Sequence, residues 1–168
     1  MKTIRIGSGA GYSGDRIEPA VELMEKGNLD YIIFECLAER TIALGQKDKL
    51  KDSSKGYNQL LEYRMEKILP LVKAKKVKVI TNMGAANVKA AAEKTIEIAE
   101  NLGIEGIKIA YITGDDISEN ISGYLEQEIL ETGGELQELG TKILSANAYL
   151  DSEGIVKALQ YDADVIIR

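Results

Sequence analysis

Short apolar runs rich in β-branched residues recur along this 168-residue chain, separated by segments whose apolar positions fall three and four apart. The runs TIRIGS (3–8), DYIIFE (30–35), VKVITN (77–82), IKIAYI (107–112), TKILSA (141–146) and ADVIIR (163–168) predict six strands. Their near-continuous apolar character, rather than strict alternation, is that of parallel strands buried on both faces. The segments at 17–26, 38–46, 57–73, 87–102, 117–131 and 153–161 predict helices. The clearest is VKAAAEKTIEIAENLG, in which Val88, Ala91, Ala92, Thr95, Ile96, Ala99 and Leu102 form an inward stripe. Asn87 is a suitable cap for it and Gly103 a suitable stop. Alternation at this cadence predicts an α/β fold: a three-layer, open, mostly parallel sheet with helices on both faces, Rossmann-like. The polar stretch GQKDKLKDSSKG (45–56) reads as a surface loop. No repeat or linker divides the chain, so 1–168 is expected to form a single α/β domain.

The first strand runs into GSGAGYSGDRIEP, where Gly9, Gly11 and Gly14 have the G-x-G-x-x-G spacing of a dinucleotide fingerprint. Glu35, at the end of the second run, stands where such a fold needs an acidic residue for a ribose hydroxyl. The charges oppose that reading. Asp15 and Glu18 put negative charge where phosphate needs free amides and a positive helix end. Pro19 fits only the opening of a helix, which then begins too far beyond Gly14 for the third glycine to start it. The loop therefore reads as a tight turn that is either structural or binds a different ligand. Arg16 either meets a ligand's anionic group or pairs with Asp15 or Glu18.

Ligands of open α/β sheets bind beyond the carboxyl ends of the strands, so the polar residues where each run stops matter most. These are Ser8, Gly9 and Gly11; Glu35, Glu39 and Arg40; Thr81, Asn82, Gly84 and Asn87; Thr113, Gly114, Asp115 and Asp116; and Asn147, Tyr149, Asp151 and Glu153. Taken singly, many of them serve as caps, turn glycines or surface charges. Together they describe a polar rim suited to a small polar ligand.

Composition narrows the chemistry. The net charge of −6 argues against nucleic acid as a partner, and no run approaches the ~20 apolar residues that span a membrane. With no histidine and one cysteine, Cys36, a zinc site or histidine acid–base catalysis is not expected, and no metal or cofactor is assigned. The lone cysteine and the absence of a secretory leader pattern lead us to expect a cytoplasmic protein.

The segments IRIGSGAGYSGDRIEPAVEL, LDYIIFECLAERTIAL, VITNMGAAN and SANAYLDSEGIVKAL with ADVIIR resemble the N-terminal part of the acyclic terpene utilisation protein AtuA family across nearly the whole chain. The matching positions are Gly9, Gly11, Asp15, Arg16, Glu35, Glu39, Asn82, Gly84, Asn147, Tyr149 and Gly154. The resemblance implies action on a small carboxylic acid or acyl-coenzyme A thioester in terpenoid or related catabolism, without fixing the reaction. Members are generally longer, so the chain is expected to correspond to the N-terminal portion of a longer protein. Three readings follow. In the first, Glu35 or Asp115 transfers a proton, Asn82 and Asn147 orient a carbonyl, and Gly9, Gly11, Gly14, Arg16, Gly84 and Tyr149 contact the ligand. In the second, the chain is a non-catalytic binding or assembly subunit, as a homo-oligomer or with a separate C-terminal partner. The third is a dinucleotide-binding oxidoreductase.

Overall fold

In the computed structural model, which describes residues 3–168, the apolar runs at both ends and in the middle of the chain become a sheet. Its strands are Ile6–Ala10 (β1), Tyr31–Phe34 (β2), Lys78–Thr81 (β3), Ile109–Tyr111 (β4) and Val165–Ile167 (β5). All pair in parallel, in the order β1-β2-β3-β5-β4. The helices are Glu18–Lys26 (α1), Glu39–Lys51 (α2), Leu61–Lys75 (α3), Val88–Asn101 (α4) and Glu153–Gln160 (α5). The α/β class and the parallel sheet expected from the pattern are those observed.

Register explains which residues make the core. Ile32 lies opposite Val79 and Val79 opposite Val165, so these side chains share one face with Phe34, Thr81 and Ile167. All are fully or nearly fully buried, and the apolar ones belong to the cluster that includes Ala20 and Met24 of α1, Leu61, Met65 and Ile68 of α3, and Ala91 and Ala99 of α4. Ile80, Ile166 and Ala110 point the other way and meet Ile155, Ala158 and Leu159 of α5. Right-handed crossovers account for the division. The path β1 to β4 advances across the sheet in one direction, which keeps α1, α3 and α4 on one side. The return to β5 reverses it and sets α5 on the other. Each fully buried Ile, Val or Phe contributes roughly 1.5–3 kcal/mol to this packing.

The chain divides into two compact units. The first holds the sheet and all five α-helices, joining the chain up to Ile112 with Ser152–Arg168. The second is Thr113–Asp151. It contains 3-10 turns at Ser118–Tyr124 and Leu136–Lys142 and an isolated antiparallel bridge between Asp116 and Asn147. None of its described residues is buried.

Four expectations need correction. The run at 141–146 forms no strand: its first two residues end a 3-10 turn and the rest pairs with no strand of the sheet, so the pairing that stabilises a strand is missing. The segment 117–131 forms a short 3-10 turn instead of a helix. Its stripe of Ile121, Leu125 and Ile129 is only half-buried, and helices of this length depend on tertiary packing. The stretch 45–56 is helical as far as Lys51. Gly45, the first residue of that expected loop, is interior to α2, where a Cβ would sit 2.6 Å from the Gly56 carbonyl oxygen. In α4, Ile98 is buried in place of Ile96 and Leu102, which are 45% and 44% exposed. Asn87 does cap that helix, accepting from the Ala90 amide.

Candidate functional site

The β1–α1 loop is filled from within. The Gly11 amide donates to Asp15 Oδ2 at 2.8 Å, so a carboxylate occupies the place where a nucleotide phosphate would lie. Helix α1 begins at Glu18, with Pro19 in its first turn, which separates Gly14 from the helix. Arg16 is exposed and makes no ion pair among the described residues.

The three glycines differ in why they are glycine. A Cβ at Gly9 would lie 2.6–2.9 Å from the Phe34 ring, and one at Gly14 would lie 2.6 Å from the Tyr12 ring. At Gly11 nothing lies within 4 Å, and its φ is outside the left-handed region. Neither packing nor backbone conformation within the chain demands glycine there. Gly84 is set by packing, since a Cβ would lie 2.5 Å from Val88 Cγ1 and 2.9 Å from the Arg168 carbonyl oxygen.

Glu35 and Asn82 follow the ends of adjacent strands β2 and β3, and the sheet brings them together. Asn82 Nδ2 donates to Glu35 Oε1 at 2.9 Å, and the Leu37 amide donates to the same oxygen at 3.1 Å. Asn82 Oδ1 accepts the Cys36 amide at 2.6 Å, which orients the carboxamide. Among the described residues Oε2 of Glu35 accepts no hydrogen bond, and Glu35 is exposed. Gly84 lies in the turn that follows Asn82. Ala85 in that turn has φ of +47°, a strained conformation for a residue with a Cβ.

Beneath these loops is a residue that the strand-end survey passed over. Arg64 on α3 is 1% exposed. Its Nη2 donates to the carbonyl oxygens of Asp15 at 2.7 Å and Ser13 at 3.1 Å. Its Nη1 donates to Cys36 Sγ at 3.1 Å and Met83 Sδ at 3.5 Å. No carboxylate ion-pairs with it among the described residues. A signal was present in the sequence, because Arg64 interrupts the inward stripe of Leu61, Met65 and Ile68. Burial pushes the Cys36 thiol up, against the lowering pull of the Arg64 guanidinium. The carboxylates of Glu35 and Asp15 push it up further. Cys36, 3% exposed with a raised pKa, is a packed thiol rather than an activated one.

Of the sequence-predicted residues, Gly11, Gly14, Arg16, Glu35, Asn82 and Gly84 thus lie beyond the carboxyl ends of β1, β2 and β3, which are neighbours in the sheet, while Gly9 is the penultimate residue of β1 itself. Asp115, Asn147 and Tyr149 belong to the second unit. There Asn147 Nδ2 donates to Asp115 Oδ2 at 2.9 Å, and the Ala148 amide donates to the Asp115 carbonyl at 2.7 Å. Tyr149 is 95% exposed. Among the described residues no helix is long and apolar enough to cross a membrane.

The sequence profile of the acyclic terpene utilisation family protein AtuA matches residues 4–168. Nothing among curated proteins or solved structures matches. A family match over essentially the entire chain establishes that the protein belongs to the acyclic terpene utilisation AtuA family.

Proposed function

We propose that this AtuA-family chain acts on a small carboxylic acid or its acyl-coenzyme A thioester, with Glu35 as the group that transfers a proton. The observation that carries the reading is the Glu35–Asn82 pair. One carboxylate oxygen is fixed by Asn82 and the Leu37 amide, and the other is open. A carboxylate held in this way keeps one orientation while presenting a basic oxygen to a substrate C–H or O–H. Asn82 uses one of its two N–H bonds on Glu35, which leaves the second for a substrate carbonyl. Arg16 supplies a cation for the substrate's anionic group, and the open space beside Gly11, whose amide Asp15 already holds, leaves room for the ligand next to the loop. Gly9, Gly14 and Gly84 shape the loops around it. A separate assignment, confined to the second unit, gives the proton transfer to Asp115, oriented by Asn147, with Tyr149 as the exposed ring for ligand contact there.

The test is exchange of the proton α to the carbonyl. The full chain is incubated in heavy water with short-chain acids and their coenzyme A thioesters, and deuterium uptake is followed by mass spectrometry. Glu35→Gln is expected to abolish exchange while leaving the melting temperature near wild type. Exchange retained in Glu35→Gln and lost in Asp115→Asn reassigns the proton carrier. Retention in both variants ends the reading.

A second reading, a binding or assembly subunit, draws on a different observation. Ile4 and Ile6 are 53% and 66% exposed at the β1 edge of the sheet. Native mass spectrometry of the freshly purified chain separates a homo-oligomer, a companion-requiring subunit and a ligand-bound monomer by mass. The dinucleotide reading is weakened by the Asp15 carboxylate on the Gly11 amide.

A further inference from the structure

A buried guanidinium without a carboxylate partner is an expensive feature, retained where its fork does something that a hydrophobic residue cannot. The fork of Arg64 reaches two places. Through Nη2 it holds the carbonyls of residues 13 and 15, and Asp15 in turn holds the Gly11 amide. Through Nη1 it holds the sulfur of Cys36, whose amide is bonded to Asn82, the residue that fixes Glu35. We infer that Arg64 is a positioning residue, one buried guanidinium that clamps the glycine loop after β1 to the Glu35–Asn82 pair after β2 and β3. It touches neither a ligand nor the open oxygen of Glu35. It sets the separation between the Asp15-closed glycine loop and that oxygen, and so the room a substrate has between them.

The inference rests on the reading of these loops as one site, but its test needs no substrate. Amide hydrogen exchange and an NMR titration of the Cys36 Cβ resonance are recorded on the full chain and on Arg64→Met and Arg64→Lys. Methionine fills similar space without a fork, and lysine keeps the charge but reaches one end only. Arg64→Met is expected to speed exchange at both Gly11 and Cys36 by about tenfold, the scale of one charged hydrogen bond, while Val79 and Ile166 in the central strands stay protected. Arg64→Lys is expected to speed exchange at one or both of these positions. The Cys36 titration should move to higher pH in Arg64→Met, because the guanidinium that opposes the burial effect is gone. Unchanged exchange at Gly11 and Cys36 in either folded variant overturns the clamp and leaves Arg64 as a space-filling residue. Should neither variant fold, the wild-type chain decides: one clamp predicts that Gly11 and Cys36 share a single opening free energy and denaturant slope, and two distinct values refute it. A failed clamp leaves the Glu35 chemistry standing, and a proton-exchange-competent Glu35→Gln leaves the clamp standing.

Discussion

Gly9→Ala and Gly11→Ala are expected to behave oppositely, although the two glycines are two residues apart, Gly9 near the end of β1 and Gly11 just beyond it. At Gly9 the new methyl would lie 2.6, 2.7 and 2.9 Å from three carbons of the Phe34 ring. Carbon atoms pack at about 3.5–4.0 Å, so the ring would have to retreat by roughly 1 Å. Phe34 is fully buried on the face shared with Ile32 and Val79, where packing leaves no room for that movement. The expected cost is ~1–3 kcal/mol, the range for overfilling a packed core. At Gly11 nothing lies within 4 Å and the backbone is not left-handed. Alanine there should be neutral or stabilising by up to ~1 kcal/mol, through the lower entropy of the unfolded chain. Urea unfolding monitored by circular dichroism gives both numbers, with the denaturant slope unchanged in each case. Phe34→Leu made in the Gly9→Ala background should recover part of the loss as a coupling of ~1 kcal/mol. A Gly9→Ala midpoint equal to wild type would refute the packing argument. A strongly destabilised Gly11→Ala would show that a constraint within the chain holds that position, and would remove the support it lends to ligand approach.

Two further outcomes follow from the same geometry. Ala85→Gly relieves a φ of +47° and should raise stability by ~1 kcal/mol, read as a higher melting temperature, and a lower one would show that the methyl packs better than it strains. On the alkaline side, burial raises both the Cys36 thiol and the Tyr57 phenol, the latter also through its bond to Glu62. Groups raised in the folded state stabilise fully below their unfolded pKa and lose that stabilisation as pH rises through the folded value. Unfolding midpoints should therefore fall from about pH 8.5 upward, where an unfolded thiol begins to ionise. The fall should start at higher pH in Cys36→Ala, and an identical profile in that variant would assign the alkaline loss elsewhere.

How far the site was legible in the sequence depends on how each residue acts. Glu35 and Asn82 could be named because parallel strands deliver their carboxyl ends to one edge, and both residues follow apolar runs directly. Their hydrogen bond could not be read, because it depends on β2 and β3 being neighbours, a fact of strand order. Arg64 went unnoticed for the opposite reason. It lies on a helix, far in sequence from any strand end, and its partners are carbonyl and sulfur atoms that no motif records. The glycine spacing suggested a phosphate loop, while the bond from Gly11 to Asp15 shows the chain supplying its own anion.

The sequence alone determined the α/β class and the cap and glycine stop of α4, because these depend on local periodicity and composition. Tertiary structure decided which apolar runs became strands. Val165–Ile167 is buried because β3 and β4 flank it, whereas 141–146, which also reads as a strand from its pattern, has no sheet neighbour. A strand's stability lies in its pairing and in the helices that cover it, and neither is written in the strand's own residues.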